Sequence, residues 1–199
     1  MIYTIGDSNA CTGWGEIPAG VTAIWLGPVL MFTFGKSEYM VSALETLDLK
    51  EGDSIIYSFG SIDCRAHVKK FVKDGLSYKQ IIEALVDGYM ATVRRNTRHY
   101  KGLDINTCIY TVPPPTHNGE VEAIEVLSHP FLGSDEERKE YCEYTNLKIG
   151  EACEREGFMC FDVYKEYSDD QGFLLPEYSS DMHIADPKYL IEKIKELGL

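Results

Sequence analysis

Two rhythms of apolar and polar positions run through this chain. Residues 2–5, 21–26, 54–59, 106–112 and 158–164 are short runs rich in Ile, Val, Tyr, Thr and Phe, and read as buried strands. Between them the spacing switches to the helical period. Residues 37–47 carry Tyr39, Met40, Ala43, Leu44 and Leu47 at helical intervals, and a helix from Asp63 runs through Val68, Phe71 and Val72. The longest pattern follows Ser77, a predicted cap, with Ile81, Ile82, Leu85, Tyr89 and Val93 as its apolar stripe. Ser134-Asp135-Glu136-Glu137 opens another helix, running to Glu156 with Tyr141, Tyr144, Leu147 and Ala152 spaced for burial, and residues 187–197 form a terminal amphipathic helix. Five strands, each separated from the next by a helix or a helix-length connection, predict an α/β protein whose parallel sheet is covered on both faces.

The breaks in these patterns locate the loops. Pro113-Pro114-Pro115 cannot continue a strand ladder, so the chain leaves the sheet there, and residues 116–133 read as a loop or a flap over the sheet edge. Residues 179–183 form a polar loop before the last helix. No repeat, low-complexity tract or linker divides the chain, which is read as a single domain over residues 1–199.

Composition narrows the partners. Nineteen basic against 32 acidic residues give a net charge of −13, which repels nucleic-acid backbones and anionic membrane surfaces. No stretch is long and apolar enough for a membrane span, and the amino terminus lacks a signal-peptide pattern, so a cytoplasmic protein without nucleic-acid or membrane partners is expected. The six cysteines show no CxxC pair or cysteine–histidine metal spacing and read as reduced thiols. Cys108, Cys142, Cys153 and Cys160 read as core residues, while Cys11 and Cys64 lie near the polar motifs without an obvious partner. His67, His99, His117 and His129 show no ligand spacing, so neither a metal nor another cofactor is expected. Arg94, Arg95, Arg98 and His99 sit in the last turns of their helix, where they complement its dipole.

The chemistry begins at Gly6-Asp7-Ser8, where the first strand ends in a serine at the carboxyl edge of the sheet, the edge at which such folds bind ligands. A serine hydroxyl needs a base within hydrogen-bond reach, and His183 titrates in the right range. Gly27 follows the second strand, and Gly60-Ser61-Ile62-Asp63-Cys64-Arg65 follows the third. In this order the blocks resemble those of the SGNH, or GDSL-type, hydrolase superfamily, and the resemblance covers essentially the whole chain. It implies a three-layer α/β/α, flavodoxin-like fold. It also implies hydrolysis or transfer of an ester-linked acyl group, often acetate on a carbohydrate, through an acyl-Ser8 intermediate, with the N–H groups of Ser8 and Gly27 meeting the oxyanion.

Two positions depart from the family pattern. The third block normally supplies an asparagine as an oxyanion donor, and Ile62 stands there instead. The last block is normally Asp-x-x-His, whereas Ser180 lies three residues before His183 and the nearest acid is Asp181. Asp181 is the expected partner of His183, with Asp169, Asp170 or a backbone carbonyl as alternatives. Asp63 either takes part in the site with Gly60 or caps the helix that follows, pairing with His67. Arg65 is either a solvated helix residue or a group that recognises a substrate carboxylate or phosphate. The string through Arg65 is similar to a divergent SGNH-like branch, usually Gly-Glu-Ile-Asp-Cys-Arg, often associated with surface-glycan assembly. Three functions are consistent with these residues: a serine esterase or acyltransferase on an acylated sugar or small ester, a glycan-assembly transferase using Arg65 on a sugar phosphate, and a non-catalytic glycan- or protein-binding module.

Overall fold

The structure, a computed structural model, describes residues 1–14, 20–36, 47–72, 75–100, 102–117 and 129–199. Five strands, β1 (Ile2–Gly6), β2 (Val21–Trp25), β3 (Ser54–Ser58), β4 (Asn106–Tyr110) and β5 (Met159–Phe161), form one sheet in the order β2-β1-β3-β4-β5. Every pairing is parallel. This is the flavodoxin-like order, in which the reversal between β1 and β3 opens a crevice at the carboxyl edge.

The helices are α1 (Met31–Lys36), α2 (Val68–Val72), α3 (Tyr78–His99), α4 (Asp135–Glu156), α5 (Tyr164–Tyr167) and α6 (Lys188–Glu196). Two apolar clusters place them on opposite faces of the sheet. Ile55, Tyr57 and Ile109 point into one, with Phe34 of α1, Tyr89 of α3 and Ile149 of α4. Ile56, Cys108 and Tyr110 point into the other, with Trp14 and with Leu190 and Ile194 of α6. The period-two alternation of adjacent strand residues between two cores produces the three layers. The expected helix at 37–47 lies outside the described residues except for Leu47, which is half-buried against the first cluster.

The helix caps form as expected. Ser77 and Ser134 each accept a backbone N–H from the first turn, and Gln80 and Glu137 reach back to complete capping boxes. Arg94 pairs with Glu156 across α3 and α4 at 2.7 Å. Leu147 is a correction: it is 54% exposed. The buried face of α4 is instead Tyr141, Cys142, Thr145, Ile149, Ala152 and Cys153, and Leu147 falls on the opposite side of the helical wheel.

Strand ends also differ. β2 is an edge strand rather than a buried one, and its Trp25 is 62% exposed. β4 stops at Tyr110 because the Asn146 side chain takes over both the N–H and the carbonyl of Val112, each at 2.8 Å. β5 stops at Phe161 because the Asp162 carboxylate accepts the Tyr164 N–H and turns the chain into α5. The polar loop at 179–183 is a tight antiparallel hairpin, β6 (Ser179–Ser180) and β7 (His183–Ile184).

Gly6 remains within β1 rather than forming a turn, and close approach is what requires it. A Cβ there would fall 1.8 Å from the Ser58 carbonyl oxygen. Gly6→Ala therefore destabilises the fold by more than about 3 kcal/mol, the upper end of ordinary overpacking costs. Gly150→Ala, in open space on α4, stabilises by up to about 1 kcal/mol. Urea unfolding of the two variants measures the contrast, and equal midpoints would refute it.

Candidate active site

The Ser8 turn is built from local hydrogen bonds. Asp7 caps a short 3-10 turn, Ser8–Ala10, by accepting the Asn9 N–H at 2.9 Å. The Asn9 amide also donates to Asp7 and to the Ser61 hydroxyl, at 3.3 and 2.9 Å. Thr4 donates to the Ala10 carbonyl at 2.6 Å and Thr12 to that of Ser8 at 2.7 Å. These bonds fix the turn from both sides while Ser8 itself stays half-exposed. Beyond it, Trp14 is fully buried in the second apolar cluster together with Ile184. Gly13 packs directly on Ile184, so the serine turn and the β6–β7 hairpin are docked together.

That docking brings His183 to Ser8. His183 Nε2 lies 2.7 Å from Ser8 Oγ, the separation a general base requires. The two residues are 175 positions apart in the chain. Asp181 occupies the first position of the hairpin turn with φ +55, exposed, and borders an open cleft with Ser8 and His183. A single positive φ at that position is the II′ pattern that matches the twist of a hairpin. Asp169 is not available as an alternative acid. Its carboxylate accepts the N–H groups of Gln171 and Phe173, which hold it below the usual carboxylate range, and it borders a different cavity with Asp170.

Gly27 stands at φ +87, a conformation other residues rarely adopt. The preceding Leu26 N–H is bonded to the Gly6 carbonyl at 3.0 Å, which ties this loop to the end of β1. Among the described residues no acceptor is paired with the N–H of Ser8 or of Gly27, and Gly27 is not among the residues lining the two clefts at Ser8.

The third block behaves differently from expectation. Gly60 is buried at the end of β3, its carbonyl accepting the Cys64 N–H at 2.9 Å. Asp63 neither caps its own helix nor pairs with His67. It is 1% exposed and reaches across to α1, accepting the N–H groups of Met31 at 2.6 Å and Phe32 at 3.3 Å. It therefore caps the helix that follows Gly27, and His67 packs between Phe32 and Phe71 instead. Both Gly60 and Asp63 thus serve as structural supports. Residues 63–67 form a π turn, with the Val68 N–H bonded back to the Asp63 carbonyl. Its wider spacing lets Asp63 turn inward while Arg65 turns toward the site.

Arg65 donates to the His129 carbonyl at 3.1 Å, contacts Met182 Sδ and lies over the Phe131 ring. Its own carbonyl accepts the Leu132 N–H. The described end of the expected flap is therefore fastened over the site through Arg65, which is more than a solvated helix residue. A cavity of about 200 Å³ is lined by Ser8, Trp25, Ile62, Arg65, Met182 and His183. On the other side of Trp25 an open cleft of about 460 Å³ is lined by Ser8, Thr12, Trp25, Ser180, Asp181 and His183. Trp25 and Met182 were not singled out from sequence. The usable signal for Trp25 was its place on β2, in register with Gly6 and so level with the serine turn.

Cys64 has a partner after all, the Thr145 hydroxyl at 3.4 Å, and all six cysteines are free thiols. Among the described residues no group of three or more His, Cys, Asp or Glu side chains could hold a metal ion, and no helix is long and apolar enough to cross a membrane.

A serine–histidine pair stands at the carboxyl edge of a doubly wound parallel sheet. The fold is that of the SGNH, or GDSL-type, hydrolases. The chain superimposes on a GDSL-like lipase from Bacteroides thetaiotaomicron VPI-5482 with a TM-score of 0.64 and 10% identity, covering 100% of this chain and 88% of that one. It also matches a carbohydrate acetylesterase from Sinorhizobium meliloti, TM-score 0.60, 13% identity, covering 98% of both chains. The aryl esterase of M. smegmatis gives 0.53 at 13% identity, again over 98% of both. The sequence matches no family model and no curated protein. At these identities the likeness is one of fold.

Burial raises the two carboxylates beneath the site. It pushes Asp7 up to about 6, against the opposing effect of its hydrogen bonds from Asn9 and Ser61, and pushes Asp63 up to about 7. A group whose folded value lies above its ordinary 3.8 binds its proton more tightly when folded. Its contribution to stability is therefore complete below pH ~4 and is lost as the pH rises through the folded value. For Asp7 that window runs from 3.8 to about 6. In Asp7→Asn, urea midpoints fall less steeply across this window than in the wild type. Parallel midpoint curves would contradict the assignment.

Proposed function

We propose that the protein is a serine ester hydrolase or acyltransferase acting on an acylated carbohydrate or small ester. The observation that carries this reading is the 2.7 Å contact between His183 Nε2 and Ser8 Oγ beside two clefts. His183 takes the Ser8 proton as Oγ attacks the ester carbonyl. The oxyanion forms against the N–H groups of Ser8 and Gly27. His183 then returns the proton to the departing alcohol, leaving an acyl-serine that water or a second alcohol resolves by the reverse steps. Both clefts are open at the surface, which suits attack by water. A neighbour in fold described as a carbohydrate acetylesterase supports the acetylated-sugar form of the substrate. Six free thiols suit a reducing, cytoplasmic setting.

Ile62 sets the expected rate. Loss of one oxyanion donor costs about 10²–10³ in turnover, well short of the whole acceleration of a serine hydrolase. The reading is therefore a slow esterase rather than an inert module. Wild-type protein is expected to hydrolyse p-nitrophenyl acetate and to take up a fluorophosphonate on Ser8. Ser8→Ala and His183→Ala lose both, and mass analysis of the Ser8 peptide is the readout. An unlabelled wild type would remove the proposal. Ile62→Asn, which puts an amide at the cavity wall, raises kcat by about 10-fold or more if the donor is what is missing; an unchanged or lower kcat in a folded variant would show that it is not.

Asp181 is proposed as the positioning acid for His183. An exposed carboxylate is screened by water, so Asp181→Asn lowers kcat/KM by only about tenfold, far less than loss of a buried triad acid. Removing its charge also favours neutral imidazole, so the acid limb of the pH–rate profile moves to lower pH. An unshifted limb would assign the orientation of His183 to another group.

A further inference from the structure

The largest exposed aromatic group of the described surface stands at the site and has no part in the Ser8–His183 chemistry. Trp25 is 62% exposed and lines both clefts that meet at Ser8 and His183. Tryptophan is over-represented among residues that dominate binding energy, so an exposed indole lining both clefts is a candidate ligand contact.

The two clefts differ in character. The smaller, about 200 Å³, has Pro28, Ile62 and Met182 among its walls, with Arg65 and His129 at its edge. The larger, about 460 Å³, adds the hydroxyls of Thr12 and Ser180 and the carboxylate of Asp181. An ester carbonyl at Ser8 carries two substituents, an acyl group and an alkoxy group. The polar, open cleft matches a polyhydroxylated alcohol and the apolar, smaller one a short acyl chain. His183 borders both, so it reaches the alkoxy oxygen whose departure it must assist.

We propose that Trp25 determines alcohol specificity by stacking against the apolar C–H face of a pyranose ring in the open cleft, while Thr12 and Ser180 meet the ring hydroxyls. The negative face of the indole attracts the weakly positive C–H hydrogens of the ring, and a sugar buries that flat face without losing hydroxyl contacts to water. The inference rests on the ester-hydrolase reading for the position of the carbonyl, but the binding itself does not require turnover.

The chain has two tryptophans, and the other, Trp14, is fully buried, so quenchable emission reports on Trp25. In Ser8→Ala protein, methyl 6-O-acetyl-glucopyranoside is expected to change the indole emission saturably and to protect it from acrylamide, and Trp25→Phe abolishes the response. In protein with Ser8 intact, Trp25→Ala lowers kcat/KM for the same sugar ester about tenfold more than for ethyl acetate, the range of a stacking contact. No saturable change in emission, or equal losses on the two esters, overturns the assignment of Trp25. A saturable response in protein whose Ser8 resists fluorophosphonate would leave the sugar site standing while removing the acyl-serine mechanism.

Discussion

β1 and β3 lie so close at Gly6 and Ser58 that no side chain can intervene, and the site depends on that proximity. A Cβ on Gly6 would meet the Ser58 carbonyl at 1.8 Å, so the two central strands keep their register only with glycine here. The Asp7 N–H then bonds to the Ser58 carbonyl at 3.1 Å, and the Gly6 carbonyl takes the Leu26 N–H at 3.0 Å. One close approach thus sets the height of the serine turn, the end of β3 that leads to Gly60, and the end of β2 that leads to Trp25 and Gly27. Three loops from separate parts of the chain are levelled at one edge because the strands beneath them cannot separate.

Above that edge the loops contain little regular structure, and buried polar groups hold them. Asp7, Asn9 and Ser61 form one linked set, and Asp63 with the first N–H groups of α1 forms a second. Burying carboxylates opposes folding, as the raised values of both acids indicate, and the hydrogen bonds from amides and the helix end offset that cost. The return is directional. An apolar contact would tolerate rotation of the serine turn, whereas a carboxylate bonded at both oxygens does not. The hairpin bearing His183 is held differently, through the burial of Ile184 beside Trp14, because a two-residue strand pair has too few ladder bonds to fix itself.

Much of this was legible in the residues. Strands rich in β-branched and aromatic side chains and helices with caps are local patterns, and they fixed the sheet, α3 and α4 within a few positions. Ser8 lies at the end of a predicted strand, and the resemblance of the later blocks to a known family pointed to His183 as its partner. What could not be read depends on contacts distant in sequence. Asp63 caps a helix 32 residues earlier, so a local rule assigned it to the wrong helix end. Trp25 resembles any buried aromatic until β2 is known to be an edge strand. The Ser180–His183 hairpin is too short for periodicity to register. Leu147 failed for a local reason: Tyr141, Cys142, Thr145 and Ile149 define the buried face of α4, and the polar Thr145 was passed over in favour of a leucine on the opposite side.

The substitution at Ile62 is best understood through the π turn beside it. The family pattern has a side-chain amide at position 62, whereas isoleucine makes that part of the wall apolar. The same turn sends Arg65 to the rim of this cavity, where its charge lies near Ser8 and His183 while its Nε bond and backbone carbonyl hold residues 129–132 in place. A guanidinium at the rim stabilises negative charge over a longer distance than an amide and with less directional demand. The third block thereby places an apolar wall and a more distant cation where the family pattern has one short, directional donor.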